Sequence, residues 1–88
     1  MKHGSDVENY KGNLDELAKD IANLKYDALV KFLKSLSNKL MEDAMCDLKR
    51  GRKNLSGNLL DASCSIEDAK NSIENAWEIS EPFMKDEK

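Results

Sequence analysis

The sequence predicts an all-α fold: an antiparallel helical hairpin with a short extra N-terminal helix, packing as a three-helix unit or, as a dimer, as a four-helix-type bundle. Three observations lead there. Leu, Ile and Ala fall at 55, 59, 62, 66, 69, 73 and 76, an alternation of four and three that marks a helix face. The segment around them has no β-branched run, and Pro82 is the single proline of the chain. Hydrophobic residues make up 40% and charged residues 35%, which is too apolar for disorder and close to the mix of long helices.

Residues 1–12 are polar and are expected to be a flexible N-terminal segment, with Ser5 and Glu8 at capping-box spacing and Gly12 at the end. The first clear helix opens on Asn13. Asn13 suits the N-cap and Glu16, three residues on, completes a capping box. Asp15 and Glu16 also complement the positive end of the helix dipole. Leu14, Leu17, Ile21 and Leu24 line one face, giving a helix of about eleven residues, roughly 16 Å long. Leu24 and Leu29 stand at the separation of a hydrophobic staple, so a break is expected near Leu24–Tyr26, although Lys25 is a poor N-cap.

The second helix carries Leu29, Phe32, Leu33, Leu36, Leu40, Ala44 and Leu48 on a broad apolar face. Lys49 and Arg50 suit its C-terminus and Gly51 its C′ position. The third helix runs to about Ser80, where Pro82 is expected to stop it. One helical domain therefore spans 13–81, and 82–88 form a polar tail. A competing arrangement exists, because the heptad phase of the third helix continues backwards through Leu48, Met45 and Met41. That continuity would allow one helix from about Asn38, with the turn near Ser35–Asn38. Gly51, Asn54 and Gly57 favour a turn at Lys49–Lys53, since each Gly costs a helix about 1 kcal/mol, while the unbroken phase favours the long helix.

As heptads, the third helix puts Leu59, Ile66 and Ile73 at one core position and Leu55, Ala62, Ala69 and Ala76 at the other. Alanine sacrifices burial but lets helix axes approach toward the low end of the usual ~8–10 Å. Ser63, Ser65 and Ser72 beside this strip would not obstruct such an approach. A helix from Asn54 to Ser80 is roughly 40 Å long, whereas a compact chain of this size is about 30 Å across. The short first helix cannot cover a hairpin of that length. A second copy can, so a homodimer is expected, with Leu55, Leu59, Ala62, Ile66, Ala69, Ile73 and Ala76 as the self-association seam.

Net charge is −3 and uneven. The C-terminal part, from Asn54 on, holds three Lys against eight Asp and Glu and should repel nucleic acid and anionic lipid. The run Lys49, Arg50, Gly51, Arg52, Lys53 holds both arginines. It can grip phosphates or an acidic partner, or simply solvate a turn. Trp77, Ile79, Phe83 and Met84 crowd the end of the last helix and offer an apolar partner anchor, or pack inside against Leu14, Leu17 or Tyr26. Cys46 and Cys64 are 18 residues apart without a CxxC, and the one histidine is His3, so no metal or cofactor site is expected. Adjacent carboxylates at Glu42–Asp43 and Glu67–Asp68 point in different directions on a helix.

With one histidine and no Gly-rich phosphate loop, catalysis is not expected. The expected role is a small non-enzymatic interaction protein, an adaptor or an inhibitor of a larger macromolecule. The basic run would make the electrostatic contact and the Trp77–Met84 cluster the apolar one. Two rivals stand beside it: a nucleic-acid or nucleotide-binding protein using Lys49–Lys53, and a small-ligand sequestering protein with its site between subunits. No signal-like or membrane-spanning run is visible, and the two cysteines fit reduced thiols, so a cytoplasmic location is expected. Twelve Lys against two Arg, with eight Asn, fit an AT-rich bacterial or phage gene.

Overall fold

The computed structural model describes residues 3–84, and the side chains of residues 3–79. It contains three helices: α1 (Leu14–Ala22), α2 (Tyr26–Lys49) and α3 (Lys53–Met84). Helices α2 and α3 pack side by side as an antiparallel hairpin, while α1 only brushes against them.

Each boundary has a local cause. At the start of α1, the Glu16 amide donates to Asn13 Oδ1 at 2.8 Å and the Asn13 amide donates to Glu16 Oε1 at 3.0 Å, the expected capping box. Helix α1 is nine residues long, shorter than expected, because Asn23 takes over as the C-cap. The break before Tyr26 is where the Leu24–Leu29 spacing puts it, and Lys25 caps α2 with no side-chain hydrogen bond.

The turn lies in the basic run. The Gly51 amide donates to the Leu48 carbonyl at 3.0 Å and the Arg52 amide to the Asp47 carbonyl at 2.8 Å. These are the two bonds of a Schellman motif, which needs a left-handed residue at C′, and Gly51 has φ 79°. Gly57, in contrast, sits inside α3, and a Cβ there would meet nothing within 4 Å. Opposite outcomes are therefore expected from one chemical change. Gly51→Ala should destabilise by about 1 kcal/mol, because φ is positive, and Gly57→Ala should stabilise by about 0.5–1 kcal/mol. Urea denaturation followed by circular dichroism measures both.

Helix α3 does not stop at Ser80 as expected. It continues through Pro82 to Met84, so the last helix extends into the segment read as tail. Proline lacks an N–H donor and its ring crowds the carbonyl four residues back, and within the last turn both costs fall on that one carbonyl.

The seam between α2 and α3 is made of small residues. Ser37 and Ala44 on α2, and Ser56 and Ser63 on α3, are the buried residues among those described. Each pair is seven residues apart, so both lie on one stripe of their helix. Ser37 Oγ donates to the Ser63 carbonyl at 3.0 Å, Ser63 Oγ donates to the Ser37 carbonyl at 2.9 Å, and the two hydroxyls are 2.9 Å apart. Two protons serve three contacts, so the hydroxyls share an acceptor role. This seam is one position away from the expected strip. Ser63 was read as a flank and is instead the centre of the contact. Ala62 is half-buried, and Ala69 and Ala76 are exposed.

The outcome is a thin molecule, 49 × 30 × 14 Å with a radius of gyration of 15.6 Å. A compact chain of this length would have about 12 Å. Ala44 is the single fully buried apolar residue among those described, and none of α1 is fully buried.

Candidate interaction surface

Helical geometry fixes where the apolar strips go. Taking Ser37 and Ser63 as the line of contact, residues three after Ser37 and four before Ser63 turn to the same side of the hairpin. Those are Leu40 and Leu59, and the structure joins them: both line a recess of about 270 Å³ together with Leu55, near the turn. At the opposite end a groove of about 550 Å³ brings Leu29, Phe32 and Leu33 of α2 together with Ala69 and Ile73 of α3 and Ile21 of α1. The strip Leu55, Leu59, Ala62, Ile66, Ala69, Ile73 and the α2 apolar residues thus share one broad face. Along it Phe32, Leu36 and Leu55 are exposed, Leu55 at 46%.

The reverse side is different. Lys34, three before Ser37, and Glu67, four after Ser63, meet there with Lys34 Nζ 3.4 Å from Glu67 Oε1. Lys70 Nζ lies 3.4 Å from Glu67 Oε2 and 3.1 Å from Glu74 Oε1, and its side chain is 14% exposed. Partial burial raises the Glu67 pKa, but the hydrogen bond and charge of Lys34, with Lys70 behind it, bring the carboxyl below its ordinary value. The Glu74 hydrogen bond, against partial burial, holds Lys70 above its ordinary value. Met41, Met45 and Leu48 are also exposed, at 44–46%. Their helical positions place them on this reverse side near the turn. The sequence signal for that patch was the heptad phase carried backwards from Leu55 through Leu48, Met45 and Met41.

The structure divides the two expected partner contacts. In the basic turn, Lys49, Arg50, Arg52 and Lys53 are exposed. Arg52 Nη1 lies 3.4 Å from Asp47 Oδ1, and Asp43 and Asp47 line the same recess as Arg50 and Arg52. These carboxylates partly neutralise the turn's field. Trp77 and Tyr26 meet edge to face, with ring centroids 6.3 Å apart and planes at 82°. Trp77 is thus engaged inside the chain, while Ile79 is 73% exposed. Residues two apart on a helix do not share a face, so Trp77 and Ile79 do not form one anchor. The side chains of Phe83 and Met84 lie outside the described residues.

The segment before α1 is tied to that helix through Tyr10. Tyr10 Oη donates to the Asp20 carboxylate on α1. That hydrogen bond, with partial burial and the charges of Asp20 and Glu16, pushes the Tyr10 phenol up to about 12 from an ordinary 10.0. A raised folded-state pKa means the contact is complete below pH 10 and is lost as pH climbs through about 12. A spectrophotometric titration checks this: Tyr10→Phe should remove tyrosinate absorbance that develops near pH 12. If the absorbance it removes develops near pH 10, the contact does not exist in solution.

Cys46 and Cys64 are free thiols, both exposed. Among the described residues no group of three or more His, Cys, Asp or Glu is arranged to hold a metal ion. No helix among them is long and apolar enough to cross a membrane. Compared with protein-family models, curated proteins and solved structures, the chain matches none.

Proposed function

We propose that this protein is a small non-enzymatic helical interaction protein, an adaptor or an inhibitor of a larger macromolecule, that self-associates through the apolar face of its α2–α3 hairpin. One observation carries the reading: the hairpin has a long apolar face and almost no apolar interior. Domains are ordinarily two packed layers around a shared core, and here the second layer is missing over most of the face. A folded monomer of 9.9 kDa has about 5,200 Å² of accessible surface by the general scaling, whereas this chain exposes 7004 Å². The excess is larger than the ~800 Å² per partner that a stable interface buries. The exposed basic turn and the Met41–Met45–Leu48 patch on the other side are left for a different macromolecule.

Sedimentation velocity at micromolar concentration tests the self-association. A species of twice the 9.9 kDa chain mass is expected. A well-folded monomer across that range would end the reading.

A further inference from the structure

We infer that the occupant of the apolar face is a second copy lying antiparallel across it, with the two-fold axis passing at Ala62, so that the turn of each copy lies over the open end of the other. This rests on the self-association proposed above and goes further, fixing face, direction and register.

Three features select this arrangement. The first is the symmetry of the strip. Leu55 and Ala69 stand seven residues either side of Ala62, and Leu59 and Ile66 stand three and four from it. A two-fold axis at Ala62 sets α3 against its own copy. Leu55 then meets Ala69 of the second copy and Leu59 meets Ile66. Large faces small at the first contact and similar side chains meet at the second, so the layers interdigitate. By helical geometry Ala62 points nearly straight out of the face, at the position where a two-fold contact is closest.

The second feature is charge along the long axis. The turn holds Lys49, Arg50, Arg52 and Lys53 with Asp43 and Asp47 as near counter-charges. The far part of α3 holds Glu67, Asp68, Glu74 and Glu78 against Lys70, with Lys34 of α2 paired to Glu67. An antiparallel pair sets the cationic turn level, along the long axis, with this acidic stretch of the second copy. Turning the two-fold axis along the helices instead would stack turn on turn and set like charges together.

The third is what already covers the end of the face. Beyond Ala69, Ile73 lies in the groove that Ile21 of α1 shares with Leu29 and Leu33. Helix α1 stands at that end, in the groove that Ala69 also lines, and His3 lines the recess at Leu55 and Leu59, so the strip left open lies between these two ends, centred on Ala62. An interface there is limited at each end by an α1 helix, which makes α1 a stop that sets the register.

Disulfide trapping tests the proposal. In a Cys46→Ser/Cys64→Ser background, Ala62→Cys, Leu55→Cys and Ala69→Cys are made singly and oxidised. Circular dichroism confirms the helical content of each. Ala62→Cys should convert to a covalent dimer, because a bond needs Cα atoms within about 7 Å. Leu55→Cys alone should not, but should cross-link to Ala69→Cys when the two are mixed. Self-linking of Leu55→Cys would overturn the direction. A sedimenting dimer in which neither Ala62→Cys nor the Leu55→Cys/Ala69→Cys mixture links would overturn the face while leaving self-association standing. A monomer by sedimentation would overturn both.

Discussion

Replacing Ser63 by leucine is expected to prise the hairpin apart. Ser63 is 1% exposed and sits hydroxyl to hydroxyl with Ser37, so there is no room for a longer side chain without moving a helix. Overpacking costs about 1–3 kcal/mol. The lost Ser37–Ser63 hydrogen bonds add about 1 kcal/mol, and more if the Ser37 hydroxyl is left buried without a partner. Against a total stability of about 4–13 kcal/mol for a chain of this length, the sum of roughly 3 kcal/mol is a large fraction. Two controls isolate the cause. Ser63→Ala keeps the size and should cost about 1 kcal/mol. Ser65→Leu, on the exposed side, should stay within about 0.5 kcal/mol. Urea midpoints by circular dichroism separate the three. If Ser63→Leu melts like Ser65→Leu, the seam does not run through Ser63.

The second large effect is expected from Ile66→Asp. Ile66 is half-buried beside the seam in the single chain and, in the proposed dimer, lies under the second copy. Loss of its burial removes about 1.5–3 kcal/mol per copy, and a two-fold interface counts the change twice. A carboxylate facing an apolar surface on each side adds desolvation. Together these predict weakening of the dimer by at least 10³-fold, since each 1.4 kcal/mol is tenfold. The readout is a shift of the sedimenting species to monomer, with helicity that falls on dilution. Unchanged sedimentation of a folded Ile66→Asp protein would place the interface elsewhere.

Much of the fold was legible because its signals are local. The Asn13–Glu16 box, the Leu24–Leu29 separation and the Lys49–Lys53 turn each depend on residues within a few positions of one another, and the structure shows all three. The choice of turn was harder, since the heptad phase ran straight through it. What decided it is the left-handed requirement at Gly51, a property of one backbone position that periodicity ignores. The apolar face was also legible.

The seam was not. Hydrophobic spacing reports which side of a helix must be covered. It does not report which stripe permits the closest backbone approach, and that stripe went to the smallest side chains. Ser56 and Ser63 look polar in a sequence, yet each is buried, Ser63 against the equally small Ser37 of the neighbouring helix. Trp77 and Ile79 read as one cluster by proximity in the chain, but the helix turns them apart. Pro82 read as a stop, and at the end of a helix it need not be one.

The serine clasp also shapes how the protein responds to temperature. The fully buried contact between the two helices is hydroxyls and one alanine methyl, with the leucines and isoleucines beside it only half-covered. Separating them therefore wets less hydrocarbon than opening an ordinary core, and it is newly wetted hydrocarbon that raises the heat capacity on unfolding. A lone hairpin should therefore melt gradually, with a shallow stability curve. Once paired face to face, the same chain hides leucine and isoleucine. Its transition should then sharpen and move upward with protein concentration, so that abundance acts as the thermostat.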